Sequence, residues 1–247
     1  MEFSINGYRA IVVTALILIF LPAFASAASV CSSGCDHTSI ESAINASIPG
    51  EIISIQGGTY HESPNITKRV TLMGRGGPVV DADGRSFAIA LFADGVRLEG
   101  LSAVNSSGIG IEVVSADNAI LVCDVHQNAI GIDILGSRNI LFGNNISRNG
   151  AGIILNRSSN NSIAYSNISI NRQYGLRSIG SDNNTIRSNV FFGNGLGISL
   201  EGSGNNLLYQ NSLLNGDNAY DDGQNRWDNG TTGNYSESLR YLPHRYV

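Results

Sequence analysis

The residues of this chain whose types could support chemistry fall at a recurring place. Glu112 and Asp133 follow Gly110-Ile111 and Gly131-Ile132, and Arg177 and Ser199 follow Gly175-Leu176 and Gly197-Ile198. Two carboxylates at equivalent places in successive units can serve as general acid and base or hold a weakly bound calcium ion. The alternative is that they are solubilising charges on an exposed face. Asp124-Val125-His126 sets another acid beside an imidazole, but acid–base work needs groups converging on one bond, and His126 falls after a different turn from Asp133. Cys31 and Cys35 are close enough to close a small disulfide loop. With His37 they could instead begin a metal site, which would lack further ligands. Cys123 reads as a small buried filler with a free thiol rather than a nucleophile.

What must position these residues is a unit of about 22 residues written several times. Units begin at Asn118, Asn139, Asn161, Asn184 and Asn206, in steps of 21, 22, 23 and 22. The third position is apolar (Ile120, Leu141, Ile163, Ile186, Leu208), as is the eighth (Val125, Ile146, Ile168, Phe191, Leu213). Between them, the sixth position is small or polar: Cys123, Asn144, Ser166, Asn189, Asn211. Another Asn follows ten residues after each of the first four starts, and then a Gly with an aliphatic residue.

No apolar face persists at helical spacing, so each unit reads as three short strands and three turns. Stacked units then pair like with like through parallel backbone bonds about 4.8 Å apart. The expected fold is all-β, a right-handed single-stranded parallel β-helix, with a buried structural ladder made by Asn144, Asn189 and Asn211. An Asn there is expected to tolerate left-handed backbone and to bond its counterparts one coil away.

Residues 1–27 read as a secretory signal peptide, with Arg9, an apolar run from Ala10 to Leu21 and Ala25-Ser26-Ala27 before the cleavage point. An uncleaved anchor is the alternative. Export permits the disulfide. Residues 28–50 form an N-terminal cap, whose capped amphipathic helix begins at Thr38-Ser39-Ile40-Glu41 and presents Ala43, Ile44 and Ile48. The β-helix occupies 51–217, which the period divides into seven or eight coils, and 218–247 is a capping tail. With 42% hydrophobic but 14% charged residues, a net charge of -5 and a single lysine, the chain suits many buried strands in one elongated monomeric domain. The same composition argues against nucleic acid and against an anionic membrane surface, and no membrane insertion is expected after signal cleavage.

Two sets of motifs carry a family resemblance. Thr38-Ser39-Ile40-Glu41-Ser42-Ala43-Ile44, Pro49-Gly50-Glu51-Ile52-Ile53, Gly58-Thr59-Tyr60 and Val70-Thr71-Leu72-Met73-Gly74 resemble the opening of pectin-lyase-like β-helices. The closing run Asn218-Ala219-Tyr220-Asp221-Asp222-Gly223, Asn225-Arg226-Trp227-Asp228 and Gly233-Asn234-Tyr235-Ser236 resembles the NosD-like family of carbohydrate-binding and sugar-hydrolase domains. Members often have Trp after that final Tyr, where this chain has Ser236-Glu237.

The resemblance implies an extracytoplasmic protein, secreted or at the cell surface, or periplasmic where a second membrane exists. It also implies that a sugar chain would lie along the sheet holding the Gly-Ile strand, with Glu112, Asp133, Arg177 and Ser199 as contacts. The Asp-Asp with Gly-His-Gly set of polygalacturonases and the Asp-Pro-His of alginate epimerases are missing. Non-catalytic binding of a polysaccharide or cell-surface glycan is therefore expected, with a lyase, epimerase or hydrolase as the alternative. Copper handling is the third reading, which the scattered His37, His61, His126 and His244, and Met73 as the one methionine left after signal removal, suit poorly. No cofactor is expected, calcium being the alternative. Sequons such as Asn65, Asn145, Asn167 and Asn229 would suit glycosylation.

Overall fold

Three apolar files build the core of this protein. In one, Ile53, Leu72, Leu98, Ile120, Leu141, Ile163, Ile186 and Leu208 are direct partners in successive strands. The second runs through Tyr60, Val80, Ala103, Val125, Ile146, Ile168, Phe191 and Leu213. A third runs Ile89, Ile111, Ile132, Ile153, Leu176, Ile198 and Ala219. Nearly all of these side chains are fully buried, which favours folding by roughly 1.5–3 kcal/mol for each large aliphatic one.

The computed structural model describes residues 28–236, so residues 1–27, read above as a signal peptide, and the last eleven residues, His244 among them, lie outside the described residues. Within it the files belong to three parallel sheets of nine, nine and eight strands, here sheets A, B and C, wound as a single-stranded right-handed β-helix. Coil after coil visits A, B and C in turn, as at Ile140–Phe142, Asn145–Ser147 and Ala151–Asn156. Sheet A has eight strands from Ile52–Gln56 onward, in line with the period. A ninth, Ala28–Val30, precedes them and pairs with Ile53–Ile55, so the solenoid begins inside the segment read as a cap. Three residues without a repeat beside them carry no periodic signal. The Cys31–Cys35 disulfide is present, with Cα atoms 5.6 Å apart.

The helix spans Ile40–Ala46, with Ser39 accepting the Ser42 N–H at its N-cap. Ile40, Ala43 and Ile44 are buried, but Ile48 lies beyond the helix and is exposed. Pro49 disfavours helical backbone at the residue before it, and Ser47 already turns extended. Both helix ends are held by the next coil. The Glu62 carboxylate accepts the Ile40 and Glu41 N–H groups, and Lys68, the only lysine, donates to the carbonyls of Ile44, Asn45 and Ser47.

Ladders of Asn turn each corner, and there are three rather than the one expected. At the corner from A to B, Asn144 Oδ1 accepts the Cys123 N–H, Ser166 Oγ that of Asn144, Asn189 Oδ1 that of Ser166, and Asn211 Oδ1 that of Asn189. The unit-leading Asn118, Asn139, Asn161, Asn184 and Asn206 form a second ladder. Asn128, Asn149, Asn171 and Asn194 form the third. All are buried. Left-handed backbone falls not on these Asn residues but on the residue before each, such as Val122, Tyr165, Ser188 and Gln210 at the first corner. That residue swings the chain so that the Asn behind it points inward.

The glycines of the Gly-Ile motif have a steric cause. A Cβ on Gly152 would stand 2.4 Å from the Gly175 carbonyl oxygen and 2.9 Å from the ladder amide of Asn171.

The tail closes the ladders. Asp217–Asp221 adds the last strand of sheet C and Tyr235–Ser236 the last of sheet B. Asn225 and Asn234 supply the final side-chain oxygens of two ladders. Asp221 accepts from Asn225 Nδ2 and from Nε1 of the buried Trp227, which fixes the Tyr-Asp…Trp motif in place.

Candidate functional site

The outward file of sheet C runs Ala90, Glu112, Asp133, Ile154, Arg177, Ser199 and Tyr220, each the direct partner of the next. Glu112, Asp133, Arg177 and Ser199 therefore share one face, in the order that the repeat arithmetic implied. The face has two halves of different chemistry.

In the first half, Glu112 and Asp133 are adjacent between Ala90 and Ile154. Phe92, Val114 and Leu135, each two residues beyond the file, are exposed apolar neighbours in sequence. Asp133 Oδ1 is buried and makes no hydrogen bond within the protein. Loss of water and then the charge of Glu112 push the Asp133 carboxyl up to about 6. This is the one carboxyl among the described residues raised so far toward neutrality.

In the second half the polar groups engage one another. Arg177 Nε and Nη2 donate to the two carboxylate oxygens of Glu201 at 2.8 and 2.6 Å, and Ser199 Oγ donates to the same carboxylate at 2.8 Å. Arg177 also lies 5.1 Å from the Tyr174 ring centre. Its bond to Glu201 holds that carboxyl below the usual range. Ser199, expected as an open contact, is 2% exposed. Sequence reading missed Glu201, although the alternation Ser199-Leu200-Glu201 puts it on the outward face. Tyr220, half exposed at the end of the file, was missed as well.

His126 lies on sheet B, away from Asp133 on sheet C, and approaches Asp124 at 3.9 Å. Cys123 is buried and free, and loss of water raises its thiol to about 11, which removes it as a nucleophile.

One grouping of His61, Asp81 and Asp83 brings ligand atoms within 4.8 Å of one another. Its groups are satisfied internally: His61 Nδ1 meets Asp83 at 3.0 Å, Asp81 accepts from the Asp83 N–H and from Asn105, and Arg85 approaches Asp83 at 3.7 Å. Two of the three sulfur atoms of cysteine are in a disulfide and the third is buried. The described residues do not fit a copper carrier, which needs soft ligands in a group.

Sequons at Asn65, Asn145 and Asn167 are exposed. No helix among the described residues is long and apolar enough to cross a membrane.

Among solved structures the chain is similar to pectate lyase Pel9A, with a TM-score of 0.58 and 16% identity over 83% of this chain and 81% of that one. It is similar also to the periplasmic alginate epimerase AlgG, with a TM-score of 0.57 and 18% identity over 76% of this chain, and spans about half (51%) of the epimerase. The Dettilon tailspike protein shows a TM-score of 0.53 at 13% identity, over 66% of this chain and 44% of the tailspike. At these identities the likeness establishes the fold. No curated protein matches the sequence. The family model described as periplasmic copper-binding protein (NosD) matches residues 54–239, nearly the whole solenoid with its closing tail, and the chain belongs to that family.

Proposed function

We propose that this protein is an exported glycan-binding protein that holds an extended sugar chain along sheet C without cleaving it. The observation that carries this reading is the Asp133 carboxylate, whose buried Oδ1 has no partner within the protein. A buried acceptor left unmade costs about 1–3 kcal/mol, and rotation of this half-buried carboxyl toward a sugar hydroxyl laid on the face supplies the missing donor. Apolar flanks at Val114 and Leu135 suit the C–H faces of pyranose rings, and Tyr220 offers a ring at the end of the file. Because Glu112, Asp133 and Glu201 are acidic and Arg177 is neutralised by Glu201, the face favours neutral or amino-sugar chains over uronates. The fold shared with a pectate lyase and an alginate epimerase supports a polysaccharide ligand. Membership of a family described as periplasmic supports location outside the cytoplasm. Copper plays no part in this reading, since the ligands do not fit it.

A glycan array with the purified protein tests the proposal. Binding to neutral or amino-sugar polymers is expected, weakened several-fold by Asp133→Ala, with no shortened products. Binding indifferent to Asp133→Ala and Glu112→Ala would remove sheet C from the account.

One observation favours an enzymatic second reading. A carboxyl raised to about 6 beside a second carboxyl is how a general acid is prepared. Release of unsaturated or shortened oligosaccharides, abolished by Asp133→Ala, would establish it in place of binding alone.

A further inference from the structure

The corner between sheets A and B carries a second feature, independent of sheet C. Val122, Phe142 and Tyr165 are all exposed there, at 62%, 44% and 54%. Phe142 and Tyr165 meet with ring centres 5.1 Å apart, and the Arg187 guanidinium lies 5.0 Å from the centre of the Tyr165 ring. Ala164 stands between Phe142 and Arg187 in the strand register and is itself buried. Its small side chain leaves the room in which the neighbouring Tyr165 ring lies between them. Arg187 forms no ion pair with a described carboxylate, unlike Arg97, Arg138 and Arg177.

Backbone conformation, the same as at the other ladder corners, turns these side chains outward. Val122 and Tyr165 occupy left-handed corner positions, with φ of 53° and 55°, where the coil between them uses Gly143. A β-branched residue is strained there, and Val122 gains little packing in return, being the most exposed of the group. Exposed amides flank the rings: Asn145 and Asn167 begin the adjoining sheet B strands, and Gln210 faces Ser188 one coil on. Two described acids flank this corner at a distance: Asp228 stands two coils from Arg187, beyond Tyr209, and accepts the Gly230 N–H, and Asp124 stands three coils away on the other side and accepts a bond from Asn145.

We propose that the Phe142–Tyr165–Arg187 corner is a binding site for an anionic polysaccharide. A uronic acid ring stacks its C–H face on the Tyr165 and Phe142 rings, its carboxylate pairs with Arg187, and the flanking amides take its hydroxyls. The partner is chosen by charge: this corner offers an unpaired cation beside aromatic rings, whereas sheet C offers carboxylates. The two faces thus bind different sugars, and either can fail without the other.

The test is titration calorimetry with oligogalacturonate and with the same oligomers after methyl esterification, which removes the charge and keeps the rings. The charged form should bind about tenfold more tightly. Arg187→Gln should erase that difference, Tyr165→Ala should weaken both forms, Tyr165→Trp should restore binding, and Asp133→Ala should change nothing. Unfolding temperatures close to the parent protein would show that the exposed-ring variants still fold. Failure of either form to bind, equal binding of both, or binding that responds to Asp133→Ala and not to Tyr165→Ala would overturn the proposal. So would equally tight binding of polyglutamate, or a dimer that Tyr165→Ala dissociates.

Discussion

Replacing Asn189 with Leu probes the ladder at its centre. Asn189 is 1% exposed and makes three side-chain bonds: Oδ1 accepts the Ser166 N–H at 2.9 Å, and Nδ2 donates to the Ile163 carbonyl at 2.9 Å and to Asn211 Oδ1 at 3.0 Å. Leucine branches at the same carbon and is the larger side chain, so no cavity opens and any overpacking adds to the loss. Asn211 Oδ1 keeps its bond from the Asn189 backbone N–H. What remains is a Ser166 N–H and an Ile163 carbonyl that lose their ladder partner, each worth about 1–3 kcal/mol when buried. Offset by the added apolar burial of Leu, the net loss should be about 3 kcal/mol. Asn189→Ser should lose only about 1 kcal/mol, because Ser166 already fills an equivalent ladder position with its hydroxyl. Urea unfolding followed by circular dichroism gives the global change, and native-state hydrogen exchange at the Ser166 amide gives the local one. An unchanged midpoint with unchanged Ser166 protection would refute the ladder as a source of stability.

Three further outcomes are expected. Asp133→Asn should stabilise the protein at pH 8 by about 1 kcal/mol, after discounting for partial exposure, and should have no effect at pH 4. The sign follows from a folded carboxyl raised to about 6: its stability contribution is lost as pH rises from the unfolded value through 6, so thermal unfolding across that window checks it. Gly152→Ala should cost about 2 kcal/mol or more in a urea titration, since the new methyl meets the Gly175 carbonyl oxygen at 2.4 Å; an unaltered midpoint would contradict the close approach. Truncation before Tyr220 removes Trp227 and the ladder-closing Asn225 and Asn234, and should yield oligomers by size-exclusion chromatography. A monomer as heat-resistant as the parent would count against the tail as a closure.

The fold was legible because the repeat is nearly invariant from Asn118 to Leu213, so spacing alone puts Ile on Ile and Glu112 beside Asp133. The disulfide and the buried Cys123 were legible for the same local reasons. Backbone torsion was not: the left-handed residues include Val122 and Ile170, which no propensity marks for such a position, and attention fell on the Asn that follows. Nor was burial of Asp133 Oδ1, which depends on the surroundings of the file rather than on its register. Glu201 is a second outward residue of its strand, two positions beyond Ser199, where the Gly-Ile spacing does not point. Phe142, Tyr165 and Arg187 come from two different places in the repeat and meet over Ala164, a juxtaposition that spacing does not reveal.

The three Asn ladders also give the solenoid a direction. Backbone bonds of parallel strands alternate in sense and largely cancel along the axis. The ladder oxygens do not alternate: at every step from Val96 to Asn225, from Cys123 to Asn234 and from Ser106 to Asn215, the coil nearer the N-terminus donates and the side-chain oxygen of the next coil accepts. The same amides also donate backward through Nδ2 to carbonyls of the preceding coil, as Asn144 does to Ile120, Asn149 to Val125 and Asn184 to Ser158, so each of these Asn residues clamps the coil before it by both ends of its amide. At the last coil the protein places a carboxylate, Asp221, against the Asn225 amide, much as an anion sits at the N-terminus of a helix. A solenoid linked in this way has two chemically unlike ends, and added coils would lengthen the ladders without changing what either end must satisfy.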